Sequence, residues 1–177
     1  MKTNTLIVLL FVLSAVLSCK PSKKELSEKE KLINEIITTE NKLYASEEIN
    51  LDLAYKMIEQ YIEFVNKYSS DSLAPDYLFK SAEISMNINE PEDAIVFLTR
   101  IESNYQNYFN YPVCLFLKAF VFENYIGDIK LAEKYYNMFL HQYPDHPMAE
   151  DAEAALLYLG MNDEQLLKLF SVMNKYN

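Results

Sequence analysis

The sequence is poor in the residues that build catalytic loops and metal sites. Its 177 residues include two glycines, Gly127 and Gly160, and two histidines, His141 and His146. A phosphate-binding loop and a nucleophile elbow both need closely spaced glycines, so this composition argues against both. Pro144 separates the histidines and breaks their helical spacing, and the sequence has no HExxH or CxxC motif. We therefore expect no enzymatic activity, no metal site and no cofactor.

Positive charge and tryptophan are also scarce. The chain has 26 acidic and 16 basic residues, a net charge of −10, no tryptophan and one arginine, Arg100. Nucleic-acid phosphates require clustered Lys and Arg, so this balance argues against a nucleic-acid partner. Acidic residues are frequent where helices should start, as at 90–93 and 150–151. We expect them to cap free N–H groups there and to oppose the helix dipole.

The N-terminal residues combine a basic start with a short apolar stretch. Lys2 precedes an apolar run of 12 residues, from Leu6 to Leu17, which is broken only by Ser14 and Ala15. A helix needs about 20 residues to cross a bilayer, so the run is too short for a membrane span. Small residues follow it, and the whole pattern predicts a secretory signal peptide over residues 1–18.

The end of this signal, V-L-S-C at Val16 to Cys19, resembles the lipobox of bacterial lipoproteins. The resemblance implies that Cys19 is acylated and becomes the first residue after cleavage, because a thiolate is a strong nucleophile for taking a lipid. Residues 19–28 are then predicted to form a charged, lipidated tether. Lys20 follows the cysteine in place of Asp, which in enteric sorting favours the outer membrane, facing the periplasm. The alternative is an ordinary signal peptide with an incidental cysteine.

The second cysteine, Cys114, lies in the apolar run C-L-F-L-K-A-F. A lipidated Cys19 leaves it no disulfide partner, and no basic group flanks it to lower the pKa of its thiol. We therefore expect Cys114 to be a small, buried core residue.

From Leu32 onward, apolar residues recur at helical spacing, and no segment shows the sustained alternation of a strand. The later prolines stand between these periodic segments, where a helical protein has its breaks. The sequence predicts helices at 29–47, 51–68, 75–88, 91–105, 112–126, 129–142, 147–159 and 163–175. We therefore predict an all-α domain over residues 29–177.

An internal repeat predicts that these helices pair into hairpins. The repeated positions in the second helices are Met57, Ala94, Ala132 and Leu166, with spacings of 37, 38 and 34 residues. In the first helices, Ala82 and Ala119 are 37 residues apart. Small residues at such positions let two helices approach closely, while aromatic residues fill the space on either side.

The repeat resembles the tetratricopeptide repeat, a 34-residue pair of helices with Gly-Asp in the turn and Pro near the end. The residues that match in order and spacing are Gly127, Asp128, Ala132, Tyr136, Phe139 and Pro144. The unit at 75–108 has Asn89-Glu90 in place of Gly-Asp, and the outer units match in periodicity. The resemblance implies a tetratricopeptide-like superhelix of about four stacked helical hairpins.

With its lipobox, the chain resembles small tetratricopeptide lipoproteins of Gram-negative envelopes, such as the barrel-assembly lipoprotein and the Pal-associated periplasmic repeat proteins. The resemblance implies a membrane-anchored scaffold that binds other envelope proteins or peptide segments, in outer-membrane protein assembly or envelope integrity. The alternative is a ligand-binding accessory lipoprotein of an outer-membrane transporter. That alternative needs an aromatic pocket, and tryptophan, the usual platform for sugars, is absent.

In tetratricopeptide arrays the first helices of the hairpins line a concave groove that binds peptides. Aligned on Ala82 and Ala119, the resemblance implies six protein-binding candidates: Phe79, Glu83, Met86, Phe116, Phe120 and Glu123, with Asp76 and Val113 on the same faces. Aromatic side chains beside carboxylates would suit a segment with apolar anchors and some Lys or Arg. The other interpretation places the phenylalanines in the core, as is usual for aromatic stripes at helical spacing.

Overall fold

The computed structural model describes residues 26–45 and 47–173, and the regular structure in these ranges is helical. The elements are α1 (Glu28–Leu43), α2 (Leu51–Lys67), α3 (Ala74–Asn87), α4 (Pro91–Asn104), α5 (Tyr111–Val121), a π-helical segment (Phe122–Ile126), α6 (Ile129–Gln142), α7 (Ala149–Tyr158) and α8 (Asp163–Met173). None of these helices has the length and apolar content to cross a bilayer. The predicted signal peptide and lipid-anchor residue, Cys19, lie outside the described residues.

The chain divides into two units, with the boundary between Lys31 and Leu32. The described part of the first unit contains the start of α1, where Ser27 and Glu30 form a capping box. The Glu30 N–H donates to Ser27 Oγ (3.2 Å), and the Ser27 N–H donates to the Glu30 carboxylate (2.8 Å). Two N–H groups without intrahelical partners are thereby satisfied. The hydrogen bonds that the Glu30 carboxylate accepts from the N–H and the hydroxyl of Ser27 lower the pKa of the Glu30 carboxyl.

In the second unit, helices that are adjacent in sequence pack as antiparallel neighbours from α2 to α7. The α1 helix joins them through Glu40, which accepts hydrogen bonds from Tyr61 of α2 (2.5 Å) and from Lys80 of α3 (2.6 Å). The α8 helix contacts α7 through the rings of Phe170 and Tyr158, 5.7 Å apart. The prediction of an all-α fold built from helical hairpins is therefore confirmed.

Local sequence signals account for most helix starts. The side chains of Asn50 and Asp128 accept the N–H groups of Leu53 and Leu131, which caps α2 and α6. Proline occupies the first turn of α3, α4 and α5, where its missing N–H has no intrahelical partner to lose.

Three local expectations were wrong. Helix α1 ends at Leu43, four residues before its predicted end, because a turn follows it. Helix α7 begins at Ala149, two residues after its predicted start, because the Ala149 N–H donates to the His146 carbonyl in a turn (2.8 Å). The Glu90 side chain makes no capping bond to α4. Its carboxylate instead accepts a hydrogen bond from the Tyr55 hydroxyl of α2 (2.8 Å).

The small residues of the repeat lie where helices meet. Ala82, Ala94, Ala119 and Ala132 are fully buried, as the repeat predicts. Aromatic rings fill the neighbouring space: at the α2–α3 contact, Tyr77 stacks on Tyr61 and meets Phe64 edge-on, each pair with centroids 4.8 Å apart. Cys114 is also buried, in agreement with the prediction of a core cysteine.

The π-helical segment absorbs one extra residue in the repeat. Ala94 lies 12 positions after Ala82, whereas Ala132 lies 13 positions after Ala119. A π turn takes one more residue than an α turn, so Phe122–Ile126 accommodates the insertion without moving either alanine out of its helix contact. Gly127 ends the segment with a left-handed φ of 78°, a conformation that glycine adopts without steric cost.

The core also contains a buried charged residue, Lys118, which the apolar pattern of the α5 sequence does not predict. Lys118 is 2 % exposed. Its ammonium donates to Thr99 and Glu102 of α4 and lies 4.3 Å from the centre of the Tyr135 ring of α6. An ammonium group can be buried because it is paired and hydrogen-bonded, so Lys118 ties three helices together.

The buried alanine contacts yield a stability prediction. The substitution Ala132→Leu overpacks the contact of α6 and should cost about 1–3 kcal/mol. We expect a melting temperature several degrees lower in thermal denaturation followed by circular dichroism. Ala154→Leu, at an exposed position of α7, is the matched control and should leave the transition nearly unchanged. Equal melting temperatures for the two variants would contradict the assigned repeat register.

Candidate protein-binding groove

Two adjoining hollows meet at the end of α3. The first, which we call the inner cleft, has a volume of about 210 Å³ and is lined by Glu83, Met86, Asn87, Leu117 and Tyr125. It connects α3 with α5, the first helices of two successive hairpins. The inner cleft therefore lies where a helical-repeat protein presents its first helices.

The second hollow, which we call the loop hollow, lies between the α1–α2 connection and α3. Its volume is about 280 Å³, and its lining is Leu43, Tyr44, Glu47, Ile49, Ala54, Ile84, Asn87 and Ile88. Asn87 belongs to both hollows, so they form one surface, which we call the groove. Tyr44 and Ile49 are 65 % and 52 % exposed, respectively, leaving large apolar areas of the groove open to solvent.

Of the six sequence-predicted residues, Glu83 and Met86 line the inner cleft directly. Phe120 lies beside it: its half-buried ring contacts that of Tyr125, with centroids 6.1 Å apart. These three residues lie in or beside the groove. Whether they bind a partner stays a prediction.

Phe79 and Phe116 have packing partners within the fold. The ring of Phe116 meets Tyr136 and Phe139 of α6 edge-on, at 5.5 and 5.8 Å between centroids. Phe79 packs against Tyr108, at 6.3 Å. Both phenylalanines are half-buried against the hydrophobic core, so they contribute to it.

The insertion in the repeat explains why Tyr125 takes part in the groove. Each residue of an α-helix turns the chain by about 100°, so one extra residue changes the direction of the side chains that follow. Glu123 accepts a hydrogen bond from the Tyr136 hydroxyl of α6 (2.7 Å), while Tyr125 lines the inner cleft. Burial, together with this hydrogen bond, raises the pKa of Tyr136 above its ordinary value.

The charged residues that line the groove are Glu47 and Glu83, and both are acidic. Burial by the surrounding residues raises the pKa of the Glu83 carboxyl, and nearby Lys80 lowers it in part. Lys80 itself is paired with Glu40 (2.6 Å). No hydrogen bond or ion pair is found for Glu83 among the described residues, so its partly desolvated carboxylate is unpaired.

The other reactive groups are held in structural contacts. His146 accepts the Met148 N–H at Nδ1 (3.2 Å), and its ring meets that of Phe139 edge-on. Desolvation raises the pKa of the Cys114 thiol to about 12. Over residues 26–45 and 47–173, no group of three or more His, Cys, Asp or Glu is arranged to bind a metal ion.

A model of the tetratricopeptide repeat matches residues 113–146. This range covers most of α5, the π-helical segment, α6 and the turn after it. We found no significant match among curated proteins or among solved structures. The described helices therefore form a tetratricopeptide-like stack that includes one tetratricopeptide repeat, a kind of unit that suggests protein partners.

Most groove residues were not predicted from the repeat pattern, among them Tyr44, Asn87, Leu117 and Tyr125. Tyr44 precedes α2 in an irregular connection, to which the repeat assigns no position. Leu117 follows Phe116, which the pattern does assign to the binding face. Tyr125 lines the inner cleft because of the insertion. The mismatch between the spacings of 37 and 38 residues is a sequence signal for that insertion.

The burial of Cys114 yields a prediction about its reactivity. A raised pKa keeps the thiol neutral, and nucleophilic attack requires the thiolate. At pH 8 we expect iodoacetamide to modify Cys114 at least roughly a hundredfold more slowly in the native protein than in guanidinium chloride. Peptide mass spectrometry would assign the label to Cys114. Comparable rates in the two states would contradict a buried thiol.

The contacts of the two phenylalanines of α5 predict different effects on stability. Phe116→Ala removes a half-buried ring from between Tyr136 and Phe139 and should cost about 2–3 kcal/mol, less than a fully buried ring. Phe120→Ala should cost under about 1 kcal/mol, because its ring contact is with the exposed Tyr125. Urea denaturation of both variants measures the difference. A larger loss for Phe120→Ala would place that ring in the core.

Proposed function

We propose that this protein is a membrane-anchored protein–protein interaction scaffold of the bacterial envelope, which binds a segment of another envelope protein in the groove. The observation that carries the proposal is the pair of adjoining hollows at the end of α3, of which the loop hollow is mainly apolar, in a tetratricopeptide-like stack. Exposed apolar surface of this kind is typical of interaction sites. Outer-membrane protein assembly and envelope integrity are the processes to which the resemblance in sequence points.

The proposed anchor is Cys19, and its support comes from sequence. The segment Val16 to Cys19 resembles a lipobox and follows a short apolar run with a basic start. Two or more acyl chains on one cysteine would give stable membrane attachment. Lys20 in the next position supports the outer membrane, with the repeat domain facing the periplasm.

A ligand-binding accessory lipoprotein of a transporter is the second candidate, and one observation favours it. A hollow of about 650 Å³ lies between the loops at 69–72 and 104–109. Hydroxyl and amide side chains and the carboxylate of Asp71 line it, and Phe109 is 75 % exposed at its edge. Polar groups beside an exposed ring suit a small polar ligand. The groove is the stronger candidate because its lining extends over four α-helices and the π-helical segment.

Lipid labelling tests the anchor. Cells that express the chain should incorporate an alkynyl fatty acid into the wild-type protein and not into Cys19→Ser, because serine lacks the thiol that takes the lipid. The wild type should fractionate with the outer membrane. Unlabelled wild-type protein, or an outer-membrane association that survives Cys19→Ser, would contradict the anchor.

Crosslinking in cells tests the scaffold. A photoreactive residue at Tyr44 or Tyr125 should crosslink to one protein reproducibly, whereas a residue at exposed Val96 of α4 should not. The double variant Tyr44→Ala and Tyr125→Ala should lose that partner in co-purification and keep its thermal transition, since both side chains are exposed. A protein without crosslinks at either position would contradict the proposal.

A further inference from the structure

We infer that the segment bound by the groove carries a basic residue flanked by two apolar anchors, with the Lys or Arg paired with Glu83. The inference rests on the proposed function and names the chemistry of the partner. It follows from the volumes, the charges and the unpaired groups of the groove.

The volumes set the number of anchors. The loop hollow and the inner cleft, about 280 and 210 Å³, are each large enough for one large aliphatic or aromatic side chain. Ile84 and Ile88 line the first, whereas Met86 and Leu117 line the second. Since the last turn of α3 separates the two hollows, one short segment can reach both.

The charged residues that line the two hollows determine the sign of the charge expected on the partner. Glu83 lines the inner cleft and Glu47 lines the loop hollow, and the lining of the two hollows contains no Lys or Arg. Lys80, one turn before Glu83, donates to Glu40 instead. The Glu83 carboxylate thus has Lys80 nearby but makes no ion pair or hydrogen bond in the described structure. A Lys or Arg of the partner would satisfy it.

One neutral group adds a hydrogen-bonding site at the point where the hollows meet. Asn87 is exposed, and its side chain makes no hydrogen bond among the described residues. An amide carries donors and an acceptor, so it can bond to the backbone of a segment that crosses from one hollow to the other.

The same charges argue against other occupants. A second copy of this chain would bring a net charge of −10 against an acidic groove, and repulsion opposes that contact. Anionic lipid head groups meet the same repulsion from Glu47 and Glu83. An apolar segment with a positive charge is the occupant that both the volumes and the carboxylates fit.

Selection from a phage-displayed library of random 12-residue peptides tests the inference on the purified full chain. On the wild type, we expect enrichment of Lys or Arg between two large apolar residues. On Glu83→Lys, we expect enrichment of Asp or Glu at the same place. Glu153→Lys reverses an exposed charge on α7, away from the groove, and is the matched control. It should select the same peptides as the wild type.

A synthetic copy of the strongest wild-type peptide gives the quantitative test by fluorescence anisotropy. We expect Glu83→Gln to weaken its binding about fivefold, as for a partly exposed ion pair. Replacing the basic residue of the peptide with a neutral one should weaken binding by the same factor. The two changes together should weaken it no further than either change alone. Thermal denaturation of each variant would confirm that the fold is intact.

The outcomes separate this inference from the proposed function. In one contrary result, the selected peptides compete with the partner for crosslinking at Tyr44 and Tyr125 and yet lack an enriched Lys or Arg. In another, they compete but keep the enriched Lys or Arg on Glu83→Lys. Either result overturns the inference and leaves the proposed scaffold function intact. A library that yields no peptide for the groove overturns the inference and also counts against the scaffold.

Discussion

Burial shared between neighbouring hairpins is the constraint on which this structure depends. Each helix carries an apolar face too wide to be covered by its own partner, so it is covered by the next hairpin along the chain. Fully buried alanines, such as Ala82 and Ala119, bring the backbones close, and rings such as Tyr77 and Phe139 fill the remaining space. Losing one hairpin would expose the apolar face of the next.

Polar side chains add to this packing at points where three helices meet. Glu40 accepts hydrogen bonds from Tyr61 and Lys80, which joins α1 to α2 and α3. Lys118 joins α5 to α4 and α6 through Glu102 and the Tyr135 ring. Such contacts are directional, and an unpaired buried charge is costly, so they oppose sliding of one helix along another.

The candidate site follows from the same packing, with two local departures from the repeat. The irregular connection after α1 brings Tyr44 and Ile49 beside the end of α3, which creates the loop hollow. The inserted residue of the π-helical segment brings Tyr125 into the inner cleft. Departures from a regular repeat therefore shape the surface that we propose as the binding site, while the regular positions build the core.

The sequence alone determined the class of fold and nearly all helix boundaries, because helical periodicity, prolines and caps act over a few neighbouring residues. The tetratricopeptide resemblance, aligned on Ala82, also pointed to Glu83 and Met86, which line the inner cleft. Only the tertiary structure decided that Phe116 packs on α6, that Lys118 is buried with Glu102, and that Tyr44 and Tyr125 complete the groove. Those contacts join residues distant in sequence or moved by an insertion, so they depend on how whole helices pack rather than on any local pattern.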